Sequence, residues 1–202
     1  MSVPLKSFPT LPQQNYQNIR ADIRTGDILL CSGSAVFSKL IQKATKCIWS
    51  HVAFVVRLDS MNRIMVLESV ESFGVRTVPL SFYVNNYNGS NKGYPGRLLL
   101  ARHDDIKDVS ITRMHKMSQF AIDLFGYPYD NDEIIRIAAR VGKSLFGFTK
   151  NEVKRDREYI CSEYAWECFN KIGIKIDYDK RGFVAPKDFA RAGKVKPVAV
   201  II

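Results

Sequence analysis

The chain has 202 residues, 46% apolar and 25% charged, which supports one packed core and excludes a mainly disordered, collagen-like or coiled-coil sequence. That length suits a single domain, since lone domains commonly run to roughly 100–200 residues. Lys and Arg number 30 against 20 Asp and Glu, and the resulting charge of +10 predicts attraction to polyanions, such as an anionic membrane or an acidic wall polymer. No specific nucleic-acid partner is expected, because there is no RNP pattern, zinc-finger spacing or glycine-rich phosphate loop.

The four cysteines, Cys31, Cys47, Cys161 and Cys168, form no CxxC pair and no zinc spacing. Reduced thiols are therefore expected, with no structural metal and no cofactor. The first 12 residues contain three prolines, one lysine and no apolar run. No stretch of about 18 apolar residues occurs anywhere. The expectation is a soluble protein without a signal peptide or transmembrane segment, cytoplasmic or peripherally membrane-associated.

In chain order, residues 1–24 carry Pro4, Pro9 and Pro12 among scattered Asn and Gln, and read as an N-terminal extended arm, laid over the surface or left loose. A single domain then occupies residues 25–202. Residues 27–31 (DILLC) are a short buried strand after Gly26, and Ser34 is placed to cap a helix reaching residue 46, with Phe37, Leu40, Ile41 and Ala44 on one stripe. Residues 51–57 and 64–70 are β-branched-rich runs separated by turn residues, and predict an antiparallel hairpin covered on both faces. Residues 74–80 and 96–103 are further strands. The polar connection 85–95 between them is a mobile lid or a surface loop. Periodicity then predicts helices from 111 to 124 and from 133 to 146. The second carries Arg136, Arg140 and Lys143 opposite Ile134, Ile137, Val141 and Leu145, a pattern for a membrane surface or for an ordinary core contact with a basic outer face. A polar connector, 149–158, leads to a helix with Cys161, Ala165, Cys168 and Ile172 on one stripe. A short helix after Pro186 and an apolar strand, 195–202, close the chain.

Cys161 begins a helix directly after a polar connector, where unpaired backbone N–H groups and the helix dipole favour a thiolate and suit an oxyanion. The alternative is a small core residue, like Cys168. A cysteine nucleophile needs a base, and there are three histidines. His103 and His115 read as surface residues, whereas His51 opens an apolar strand after Trp49 and Ser50. If the hairpin turns over residues 59–61, a register with 51 facing 68, or one offset by two, puts His51 and Glu68 on one face with Cβ atoms roughly 5 or 7 Å apart. A slip of one residue would separate them. Glu68 lies in an apolar run and needs a partner, which is His51 or one of the many arginines. A metal site built from His51, Glu68 and Cys161 resembles no familiar zinc signature. Tyr159, two residues ahead of Cys161, and Ser50, beside His51, are candidate substrate-binding residues, with packing the alternative for Tyr159.

Six short motifs occur in order: Gly26-Asp27-Ile28-Leu29, Ser50-His51-Val52-Ala53, the strand Glu68, Gly126-Tyr127-Pro128-Tyr129-Asp130, Cys161-Ser162-Glu163 and Ala185-Pro186-Lys187-Asp188. Together they resemble the permuted NlpC/P60 cysteine hydrolases of the YiiX-like branch, over residues 25 to about 189. The resemblance implies an α+β, circularly permuted papain-like fold, an antiparallel sheet or small barrel packed against a helical half carrying the Cys. It also implies a catalytic triad on Cys161, His51 and Glu68. The expected activity is a cysteine hydrolase of the amidase or peptidase type, acting through an acyl-cysteine on an amide or ester of cell-wall peptide or lipid origin. The alternatives are a lipid acyltransferase or thioesterase using the same site, and a basic membrane-binding module whose site has lapsed.

Overall fold

The computed structural model describes residues 11–130, 159–178 and 183–202. The helix expected over 133–146 and the connector 149–158 lie outside the described residues. The six strands are β1 (Ile28–Ser32), β2 (His51–Leu58), β3 (Arg63–Val70), β4 (Gly74–Pro79), β5 (Arg97–His103) and β6 (Val195–Val200). They form one antiparallel sheet in the order β4-β3-β2-β1-β5-β6, open and not closed into a barrel. The helices are α1 (Tyr16–Ile19), α2 (Val36–Thr45), α3 (Leu80–Asn85), α4 (Ile111–Asp123), α5 (Cys161–Lys171) and α6 (Pro186–Arg191). None of the described helices is long and apolar enough to cross a membrane.

The central strands are apolar at odd and even positions because both faces are buried. On one face Leu30, Val52, Phe54, Leu67 and Leu99 pack with Met117 and Ala121 of α4 and with Tyr164, Cys168 and Phe169 of α5. On the other, Leu29, Ala53, Val55, Val66 and Leu100 meet Leu80 and Tyr83 of α3 and Tyr16, Ile19 and Ile23. Burying apolar area on two faces of one sheet supplies the main stabilising term, at about 25 cal/mol per Å².

Several local expectations change. Residues 13–23 are laid over the domain, not left loose, and are partly helical where an extended course was expected: Gln13 bridges Val200, the Asn15 side chain caps α1, and Tyr16, Ile19 and Ile23 are buried. Their spacing of three and four is a helical stripe, which the surrounding Pro, Asn and Gln obscure. The N-cap of α2 is Ala35, and Ser34 makes no cap. β4 ends at Pro79, and residues 80–85, rich in the aromatic and β-branched types that suit strands, turn into α3. His103 is buried, only 4% exposed, and its Nδ1 accepts from the Asp105 N–H, so it is a turn-capping group and not a surface residue. His115 is exposed as expected.

Candidate active site

The β2–β3 hairpin turns through a 3-10 turn at Asp59–Met61, and Asn62 takes the left-handed conformation that closes it. Phe54 faces Leu67, Val55 faces Val66 and Arg57 faces Ile64. Continued toward the strand ends, this register sets Glu68 opposite Ala53 and diagonal to His51, the offset-by-two arrangement. The His51 backbone is held by pairing with Cys31 on β1, and Ser50 N–H donates to the Cys31 carbonyl at 3.0 Å.

Glu68 is fully buried and surrounded by donors. His51 Nε2 lies 2.9 Å from its Oε2, which also accepts from the Tyr83 hydroxyl, while Arg76 Nε and Nη2 each lie 2.9 Å from Oε1. Arg76, on β4, stands directly opposite Glu68 of β3. Both readings of this carboxylate therefore hold at once, one oxygen on the histidine and the other on an arginine. Burial alone would raise the Glu68 pKa, but the hydrogen bond and charge of His51, the Arg76 charge and the Tyr83 hydroxyl outweigh it and hold it below the usual range.

Cys161 is the first residue of α5, with Ile160 as an extended N-cap. The lead-in is pinned: Tyr159 N–H donates to the Pro128 carbonyl at 3.1 Å, and Ser69 Oγ donates to the Tyr159 carbonyl at 2.6 Å. The thiol interacts with His51 and with the backbone N–H groups of Val52 and Ser162, each of which favours its ionised form. Because Nε2 of His51 is taken by Glu68, Nδ1 is the nitrogen left to face the sulfur. Burial opposes a thiolate, yet the His51 charge, its hydrogen bond and the two N–H groups together lower the Cys161 pKa. The other three thiols go the other way. Cys31 is raised by burial and by the charges of Glu68 and Cys161, Cys47 by burial, and Cys168 by burial and Glu167.

The site opens on a cleft of about 150 Å³ whose lining includes His51, Ser38, Tyr83, Tyr87, Tyr94 and Tyr129. Residues 85–95 build one wall: Tyr94 N–H donates to the Tyr83 carbonyl at 2.7 Å, and Tyr83, Tyr87 and Tyr94 contact one another ring to ring. Ser50 borders the cleft, but its Oγ is engaged with Gly33 N–H at 2.9 Å and with the Cys31 carbonyl. Tyr159 stands outside the cleft lining and packs against Tyr127 and Tyr164. Neither Arg76 nor the cleft tyrosines Tyr83, Tyr87 and Tyr94 stand out in the sequence. Tyr129 lies within the Gly126–Asp130 motif, and Arg76 follows from pairing β4 against Glu68.

Residues 22–195 match the family described as permuted papain-like amidase enzyme, YaeF/YiiX, C92. The chain belongs to that family. It is an amidase of the cysteine-peptidase type, an enzyme of the hydrolase class with the permuted papain-like order: the strand bearing His51 precedes the helix bearing Cys161. Among solved structures, the metalloprotein yiiX from Escherichia coli O157:H7 is similar in fold, with a TM-score of 0.60 at 21% identity, covering 88% of this chain and 97% of that one. No curated protein matches the sequence. Among the described residues of this permuted amidase, no three His, Cys, Asp or Glu side chains gather where a metal ion could be held. Glu68 itself is occupied by the donors of His51, Arg76 and Tyr83.

Proposed function

We propose that this amidase cleaves an amide or ester bond through an acyl-cysteine intermediate on Cys161, with His51 as acid–base and Glu68 as the group that orients it. The observation carrying this reading is geometric: Cys161 opens α5 in the same cleft as His51, whose Nε2 is held 2.9 Å from the buried Glu68 carboxylate. The lowered Cys161 pKa runs in the same direction.

The chemistry runs in two balanced halves. The Cys161 thiolate attacks the carbonyl carbon, forming a C–S bond, and the oxyanion is met by backbone N–H groups at the start of α5, which Cys161 opens. As the C–N or C–O bond breaks, the His51 imidazolium gives its proton to the leaving atom. Water, deprotonated by His51, then breaks the thioester and returns the enzyme. An amine or alcohol in place of water would make the same site an acyltransferase.

The test is trapping. The protein is incubated with cell-wall fragments, lipid extracts and peptide libraries, and intact-mass and peptide mapping are used to find an acyl adduct. An adduct on Cys161 that is absent from Cys161→Ala supports the mechanism, and undiminished turnover by folded Cys161→Ala removes it.

A further inference from the structure

Two cavities of different chemistry share Cys161 and Ile41 in their walls. The first is the cleft of about 150 Å³ that His51 borders, with Ser38 and the hydroxyl-bearing rings of Tyr87, Tyr94 and Tyr129. The second is a slot of about 20 Å³ between α2, the start of α5 and residues 183–186, with Thr45, Ile160, Ser162, Phe183, Val184 and Ala185 in its lining. His51 does not border this slot. Both of its hydroxyls are committed: Thr45 Oγ1 donates to the Ile41 carbonyl at 2.8 Å and Ser162 Oγ to the Val184 carbonyl at 2.8 Å. Ile160, Phe183 and Ala185 form a small apolar cluster beside it.

We infer that the slot receives the acyl side of the scissile bond and selects a short aliphatic acyl group, while a bulkier polar leaving group occupies the tyrosine-lined cleft. This rests on the acyl-cysteine reading above. Proton transfer sets the orientation. His51 must reach the leaving atom, so the leaving group lies in the space that His51 borders. The carbonyl carbon stays on Sγ, and its substituent takes the space bordered by Cys161 without His51. Size sets the selectivity. About 10–15 Å³ admits one water-sized group, so a slot of about 20 Å³ holds one or two carbons beyond the carbonyl. A polar substituent there would give up its hydration and find neither hydroxyl proton free.

p-Nitrophenyl acetate, butyrate, hexanoate and octanoate test this directly, with the aryl group as the leaving group and Cys161→Ala as the control. Cys161-dependent nitrophenol release is expected to fall at least about 10-fold in kcat/KM from acetate to hexanoate, since one methylene in an apolar pocket is worth roughly 10-fold or more. Val184→Ala widens the slot away from His51 and is expected to move the preferred chain from acetate to butyrate. Cys161-dependent rates that are flat or rise with chain length overturn the inference, as does an unshifted optimum in folded Val184→Ala. The wild-type series decides if that variant does not fold. Release that persists in Cys161→Ala removes the acyl-cysteine reading itself, a distinguishable outcome.

Discussion

Nε2 of His51 and Oε2 of Glu68 lie 2.9 Å apart across the β2–β3 hairpin, in the diagonal register of that pair. The contact leaves the other ring nitrogen for Cys161 and gives a fully buried carboxylate one of its partners. His51→Ala is expected to lower kcat by about 10²–10⁴-fold, the usual worth of a positioned acid–base group. Glu68→Gln keeps an oxygen that can accept from Nε2 while losing the charge, so its loss should be smaller. Steady-state kinetics on the trapped substrate class checks the ranking, and a larger loss for Glu68→Gln would reverse the assigned roles.

The pH profile follows from two opposite shifts. Burial lowers the His51 pKa, but the Cys161 thiolate and Glu68 raise it further, to about 10, while Cys161 is held below the ordinary thiol value. The competent pair is thiolate and imidazolium. Falling pH protonates the sulfur, and rising pH strips His51 of the proton that the leaving group needs. kcat/KM is therefore expected to be bell-shaped, with an alkaline limb near pH 10 and an acid limb below the ordinary thiol pKa of about 8.5. Iodoacetamide at neutral pH should label Cys161 far faster than Cys31, Cys47 or Cys168. Four equally slow thiols would contradict this.

Removing one donor from Glu68 should cost stability whether or not it alters turnover. Tyr83→Phe keeps the ring packing and deletes a hydrogen bond to a buried charge, with an expected loss of about 1.5–3 kcal/mol. Arg76→Ala leaves the carboxylate without its arginine and should cost about 3 kcal/mol. Urea unfolding reads both, and unchanged midpoints would mean that His51 alone satisfies Glu68.

Gly74 and Gly126 both have positive φ, +66° and +86°, but only Gly74 is crowded: a Cβ there would sit 2.0 Å from the Tyr127 carbonyl oxygen. That carbonyl accepts from Val75 N–H at 2.9 Å and so ties β4 to the turn that carries Tyr129 into the cleft. Gly126→Ala should cost only the backbone penalty, about 1–2 kcal/mol. Gly74→Ala should cost clearly more and slow Cys161 labelling as well. Thermal melts compare the two, and equal losses would deny the clash.

Much of the fold was legible. Runs apolar at odd and even positions announced β2 and β3, a short apolar run announced β1, and the apolar stripe around Cys161 announced α5, because burial is written directly in side-chain type and period. Short elements fared worse. α1 hid among Pro, Asn and Gln, and α3 hid in strand-like residues, because single turns are set by what they pack against more than by propensity. His51 stands against Glu68 and His115 at the surface, as the sequence predicts, while His103 was misread because its burial comes from neighbours distant in the chain.

The amino-acid order by itself determined that a thiol would stand at a helix start, that a histidine would open a buried strand and that a carboxylate would lie in an apolar run. Only the tertiary structure decided the hairpin register, the pairing of Arg76 and Tyr83 with Glu68, and the division of space around Cys161 into an apolar slot and a tyrosine-lined cleft. Residue types carry local chemistry along the chain, but which groups share a dry interior, and hence which are charged there, depends on contacts between segments whose spacing no local pattern encodes.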